Sequence, residues 1–232
     1  MDVLITGASG TVGTAISDHL HDSDDYDFTY LDREPHPDHE TVSTDITDYG
    51  AIREAIAGHD AVIHLALIPG LSAFERDVGW SEAMAGNLKG TTNVLEAAVA
   101  TDTEKVIFAS SNHAVGMYEV KNAPDIYYPD FDLMVDHTVV PRPDSMYGLV
   151  KVYGEGIGRL CAEAHGVSFY SLRIGAIRDP EYDHPYGDAE RGVDDGDWDR
   201  DSEQYREQVA RLKGMWQSRR DFAHMVDCCL AD

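Results

Sequence analysis

The sequence predicts an α/β fold built on a doubly wound parallel sheet, and three observations carry that prediction. Short apolar runs alternate with helical patterns, a glycine triplet stands where the first run meets the first helix, and an acidic residue ends the second run. Parallel strands need a crossover helix between them, which this alternation supplies. "VLITG" reads as the first strand and "TVGTAISDHL" as its helix. "FTYLD" is a second strand, "DYGAIREAIAG" a helix and "AVIHLA" a third strand. From about Trp80 to Thr101 apolar positions recur at helical spacing. "KVIFAS" is a further strand, and "SMYGLVKVYGEGIGRLCAEA" is a long helix ahead of "VSFYSLRIG". Residues 178–204 are rich in Asp, Gly and Pro with no apolar period, so an acidic loop is expected there. One helical stretch, from about Glu203 to Leu230, then returns to the fold. The chain divides into 1–177, carrying the sheet, and 178–232, an acidic loop with a small closing segment.

The 232 residues suit a single α/β domain. With 43 acidic against 18 basic residues, the formal charge is −25, a field that repels nucleic acid and anionic membrane and excludes both as expected partners. A short-chained acidic surface of this kind suits molar salt, where the Debye length falls to about 3 Å, so salt-dependent stability is expected. No run approaches the roughly 18 apolar residues of a membrane span and no secretory leader is legible, so a soluble, cytoplasmic protein is expected. Cys161, Cys228 and Cys229 have no metal-ligand spacing; they read as buried thiols, with no metal.

"ITGASGTVG" places Gly7, Gly10 and Gly13 between strand and helix. Glycines there let the chain turn tightly and a pyrophosphate approach the backbone, while the helix N-terminus offers unpaired N–H groups to the anion. Asp32, in "YLDRE", is placed to accept from adenine-ribose hydroxyls and favours NAD over NADP; Arg33 beside it could instead receive a 2′-phosphate. "YGLVK" sets Tyr147 and Lys151 four apart, on one helix face. A phenol with pKa near 10 becomes a usable base when an ammonium lies close by, so the pair suits removal of an alcohol proton. "SSNH", directly after a strand, is either turn chemistry or the rest of an active site.

Together "TGASGTVG", "LDR", "TDIT", "HLA", "FASSNH" and "YGLVK" resemble the extended short-chain dehydrogenase/reductase superfamily, which includes the NAD-dependent epimerases and dehydratases. The resemblance implies a Rossmann-type sheet binding NAD through the turn Gly7, Gly10, Thr11, Val12 and Gly13, through Asp32 and Arg33, and through Asp45, Ile46, Leu65 and Ala66. It implies Tyr147, Lys151 and Ser111 as catalytic residues, with Lys151 and Tyr147 also at the cofactor. "FASSNHAVG" is similar to uronate dehydrogenases and to the haloarchaeal type of NAD-dependent glucose-6-phosphate dehydrogenase, both of which oxidise the anomeric carbon of a sugar. Oxidation of the C1 hydroxyl of an anionic sugar, glucose 6-phosphate or a uronate, to the lactone is the implied function, with Asn112, His113 and Arg211 binding the substrate and Lys213 a second candidate cation. Ala176 and Pro69 stand where uronate dehydrogenases use serines. The alternatives are a nucleotide-sugar epimerase or dehydratase and a silent NAD-binding homologue. Gly154, Gly156 and Gly158 on the long helix suggest close packing of a neighbour, and a homodimer is expected.

Overall fold

The computed structural model describes residues 1–68, 71 and 80–232. Six strands form one sheet: β1 (Asp2–Thr6), β2 (Asp27–Asp32), β3 (Thr41–Ser43), β4 (Ala61–His64), β5 (Lys105–Ser111) and β6 (Ser168–Ile174). Every pairing is parallel, in the order β3-β2-β1-β4-β5-β6. β3 carries too few apolar residues to stand out as a run; only Val42 is apolar, and it is exposed.

Alternation along each strand sorts the core into two layers. Val3 and Ile5 of β1 face one side with Ile107 and Ala109, against α1 (Thr11–Leu20) and α8 (Arg219–Ala231). Leu4 faces the other with Val62 and Val106, against α2 (Tyr49–Ile56), α3 (Trp80–Ala100) and α5 (Met146–His165), with the short α4 (Met117–Asn122) between the last two in the chain. Phe222, Val226 and Leu230 put α8 in the same core as β1. Lys105 is also buried, its Nζ donating to the Leu230 carbonyl at 2.6 Å near the end of α8.

Three sequence expectations need correction. The segment 178–204 holds a 3-10 turn, Pro180–Tyr182, and a helix, α6 (Gly187–Asp194), rather than one loop. Charge pairing and one aromatic fold it: Arg178 grips Asp188 through Nη2–Oδ2 at 2.6 Å, Trp198 donates to the Ala189 carbonyl at 3.0 Å, and its indole fills the space beside Gly192. The final helical stretch is two helices, α7 (Glu203–Met215) and α8. They part where Ala176 bridges to Trp216, with Ala176 N–H donating to the Met215 carbonyl at 2.9 Å, and Ser218 then caps α8 by accepting from Asp221 N at 3.0 Å. Among the cysteines only Cys161 is buried; Cys229 is half-buried and Cys228 exposed, because α8 turns that side outward.

Candidate functional site

The strand order reverses direction between β1 and β4, and ligands of such sheets bind outside the carboxyl ends of the strands at that point. A cleft of about 320 Å³ opens there, lined by Gly7, Ser9 and Gly10 after β1, Asp32, Arg33 and Glu34 at the end of β2, and Leu65 to Ile68 after β4. Thr44 and Ile46 close it beyond β3.

Each glycine of the turn does something different. Gly7 has φ +75°, and a Cβ on it would lie 2.5 Å from the Ala66 nitrogen, so backbone crosses backbone here. A Cβ on Gly13 would lie 2.3 Å from the Ala8 carbonyl oxygen; this glycine seats α1 on the turn. Gly10 borders the cleft, and its missing Cβ would meet only the Gly7 oxygen, at 3.6 Å. It N-caps α1 without a side-chain cap, as at α4 and α6, whereas α2, α5, α7 and α8 are capped by Asp48, Ser145, Ser202 and Ser218. The first-turn N–H groups of α1 are thus left for an anion. Asp32 accepts from Ser9 N at 3.0 Å, Ser9 Oγ at 2.5 Å and Arg33 N at 2.7 Å, which fixes its carboxylate at the rim. Ser9 carries no signal in the sequence beyond its place inside the glycine triplet.

The other expected cofactor residues divide. Leu65, Ala66, Ile46 and Arg33 line the cleft. Asp45 faces Thr47, whose N–H it accepts at 2.8 Å; that bond, with the Thr47 hydroxyl, holds its carboxyl below the usual range. Thr11 gives its hydroxyl to Asp179 at 2.9 Å, and Val12 packs on the core of α1 and α8, so both are engaged within the protein.

At the head of α5 the sequence-predicted constellation assembles. Lys151 is buried, its Nζ 5.4 Å from the centre of the Tyr147 ring and 5.3 Å from that of Phe108. Burial pushes its pKa down to about 8. Burial raises the Tyr147 pKa, and a hydrogen bond with Ser111 works in the opposite direction. Ser111 Oγ donates to Asn112 Oδ1 at 3.2 Å and accepts from His113 N at 3.2 Å, so the strand end bends into the 3-10 turn Asn112–Ala114. Beneath them His64 is buried, bonded through Nδ1 to Thr6 Oγ1 at 2.7 Å; burial and then the Lys151 ammonium push its pKa down to about 3. It stays neutral near neutral pH and leaves the ammonium as the local charge.

Arg211, on α7, is already paired within the protein. Its Nε donates to Glu119 Oε1 at 2.6 Å, and the Tyr127 hydroxyl donates to that same oxygen at 2.6 Å. Lys213 stacks over Tyr186, 4.8 Å from the ring centre. A cavity of about 750 Å³ flanks the outward side of β6 and α5, lined by Asn112, Glu119, Glu155, Arg159 and Arg173 among others, and by none of Tyr147, Lys151 and Arg211. Its volume is larger than that of the cleft, but the residues expected to be catalytic, Tyr147 and Lys151, are not among its lining. Pro69 falls outside the described residues.

Comparison with known proteins agrees with this geometry. The model of the NAD dependent epimerase/dehydratase family matches residues 3–231. The chain belongs to this family. NAD is its cofactor, and the cleft fits it: a glycine-cleared turn, an open helix N-terminus and a fixed carboxylate at the rim. The NAD-dependent glucose-6-phosphate dehydrogenase of Haloferax volcanii is 37% identical, over 98% of this chain and 79% of that protein. The L-arabinose 1-dehydrogenase (NAD(P)(+)) of the same organism is 38% identical over 75% of this chain and 66% of its own. Uronate dehydrogenase from Agrobacterium tumefaciens, a mutant complexed with NAD, superposes with a TM-score of 0.62 at 28% identity, covering 80% of this chain and 64% of that one. The chain spans between about two thirds and four fifths of these relatives. Among the described residues no helix is long and apolar enough to cross a membrane, and no cluster suits a metal ion.

Proposed function

We propose that the protein oxidises the C1 hydroxyl of a sugar to the lactone. The observation that carries this reading is the buried Lys151, its Nζ 5.4 Å from the centre of the Tyr147 ring one helical turn before it, with Ser111 at the adjoining end of β5. NAD bound in the cleft supplies the hydride acceptor. Tyr147 takes the proton of the C1 hydroxyl as that carbon loses its hydride, and the C1–O bond becomes a carbonyl. The Lys151 ammonium favours the phenolate, and Ser111 holds the reacting oxygen. Asn112 and His113 bind neighbouring hydroxyls. The charge balance and the resemblance to the haloarchaeal enzymes support a cytoplasm of high salt as the working environment.

An anionic sugar, a phosphate or a uronate, is the first reading, with Arg211 as its anchor; the guanidinium must then exchange Glu119 for the substrate. A neutral aldose is the second, favoured by that existing Arg211–Glu119 pair. The test follows NADH absorbance with glucose 6-phosphate, glucuronate, galacturonate and arabinose, each with NAD and NADP in molar KCl. Turnover with free NADH release supports the dehydrogenase. Non-exchanging NAD with epimerised product would make it an epimerase, and NAD binding without turnover a silent homologue.

We further propose a homodimer through α3 and α5. Leu149, Tyr153 and Leu160 are exposed on one stripe of α5, and nothing lies within 4 Å of where a Gly156 Cβ would be. Tyr153 is tied to Thr92 of α3 at 2.7 Å, joining the two helices into one face. Gly154 and Gly158 need no neighbouring molecule: a Cβ on either would strike Phe108 or Phe169 of the sheet, at 2.2 and 1.9 Å. Sedimentation at several concentrations tests the dimer, and Leu160→Glu should shift it to monomer.

A further inference from the structure

Asp144 stands in the turn just ahead of α5, and its side chain is only 8% exposed. Its Oδ2 pairs with His113 Nδ1 at 2.7 Å, and its Oδ1 accepts from the Ser145 hydroxyl at 2.7 Å. Its backbone N–H donates to the His113 carbonyl at 3.4 Å. Two glycines make this juxtaposition possible. A Cβ on Gly116 would lie 2.0 Å from the Asp144 carboxylate, and one on Gly148 would lie 2.2 Å from the His113 carbonyl oxygen. The His113 ring meets the Tyr147 ring edge-on, at 5.6 Å between centres and 78° between planes. A carboxylate, an imidazole and the phenol proposed as base are therefore in serial contact.

A carboxylate on Nδ1 selects the tautomer with the proton on that nitrogen and fixes the plane of the ring. We propose that Asp144 is a positioning residue for proton transfer: by holding His113 through Nδ1 it fixes the imidazole against Tyr147 and so fixes the direction of the phenol. Ser145 contributes twice, since its hydroxyl donates to Asp144 and accepts from Gly148 N at 3.1 Å, tying the carboxylate to the first turn of the helix that carries Tyr147.

This inference rests on the sugar dehydrogenase reading, and its test separates the two. The variants are Asp144→Ala, Asp144→Asn, His113→Ala and the double variant Asp144→Ala/His113→Ala, assayed for kcat, KM and NAD affinity, with the ¹⁵N resonances of the His113 ring recorded in wild type and Asp144→Asn. Asp144→Ala should lower kcat by about 10- to 100-fold, as loss of an orienting partner does elsewhere, with NAD affinity unchanged. In the His113→Ala background the same substitution should cost less than about threefold, because residues acting through one another are not additive. Asp144→Asn, which keeps an acceptor, should recover part of kcat, and wild-type His113 should carry its proton on Nδ1. An equal loss in both backgrounds, an unchanged kcat in Asp144→Ala, or a wild-type proton on Nε2 alone would overturn the proposal. Absence of sugar turnover in wild type would instead sink the dehydrogenase reading, and the ring resonances would still decide whether Asp144 sets the tautomer.

Discussion

The cofactor side of the molecule, β1 to β5, is held by apolar packing and close backbone approach, whereas the side proposed to hold the substrate, residues 112–144 with 176–218, is held by charged side chains. Leu4, Ile5, Ile63 and Ile107 are buried in the first, and all seven residues of β5 are buried. The second is tied by Arg211–Glu119, Arg178–Asp188 and Arg200–Glu190, together with Arg219, which reaches the Thr11 carbonyl at 3.0 Å and Asp18 at 2.5 Å. An acid-rich chain can give its sheet an ordinary core and still draw on its scarce cations to shape what lies above it. The two sides should therefore break in different ways.

The largest effect is expected at their junction. Tyr147→Phe should lower kcat by about 10²–10⁴-fold while NAD affinity, read by calorimetry, stays within about twofold. An equal loss of NAD affinity would move Tyr147 out of the chemistry. Gly13→Ala comes next on the cofactor side: with a backbone oxygen 2.3 Å from the new carbon, neither partner can swing away. Overpacking costs about 1–3 kcal/mol, so a lower Tm and at least about tenfold weaker NAD binding are expected. Normal binding would show that the turn yields.

Lys151→Met should separate activity from stability. A lysine whose folded pKa is depressed to about 8 contributes stability only above its unfolded value near 10.4, and that contribution is lost as pH falls through 8. At pH 7 the folded chain thus carries a charge that burial disfavours. The variant should lose turnover yet melt higher, by about 2–4 °C for each kcal/mol recovered, and a lower Tm would refute this.

The smallest effect belongs to the side proposed to hold the substrate. Glu119→Gln leaves Arg211 its position without its counter-charge, and the KM of an anionic sugar should fall a few-fold while that of a neutral aldose does not move. If both fall together, Arg211 is a structural cation. Raising KCl from low to molar concentration should raise the unfolding midpoint, since screening relieves the self-repulsion of 43 acidic residues. Partly buried pairs such as Arg211–Glu119 are screened less than exposed ones, so the melting of the two sides should draw together in salt.

The features legible in sequence share one property: each depends on neighbours a few residues away. The alternation of strand and helix, the glycine turn at 7–13 and the Tyr147–Lys151 spacing are set by periods of two and 3.6 and by local backbone geometry. So is the carboxylate that ends β2, since a parallel sheet brings its strand ends together. Tertiary structure alone decided which charge meets which. Asp144 reaches His113 across 31 positions and Arg211 reaches Glu119 across 92, and no local period marks either pair. The acidic segment 178–204 read as loop for the same reason: its helix is stabilised by Arg178 and Trp198 folding back on it rather than by an apolar stripe of its own. Hydrophobic burial follows the side-chain period and can be read along the chain, whereas an ion pair forms wherever packed elements bring opposite charges within reach, and only the folded chain fixes that distance.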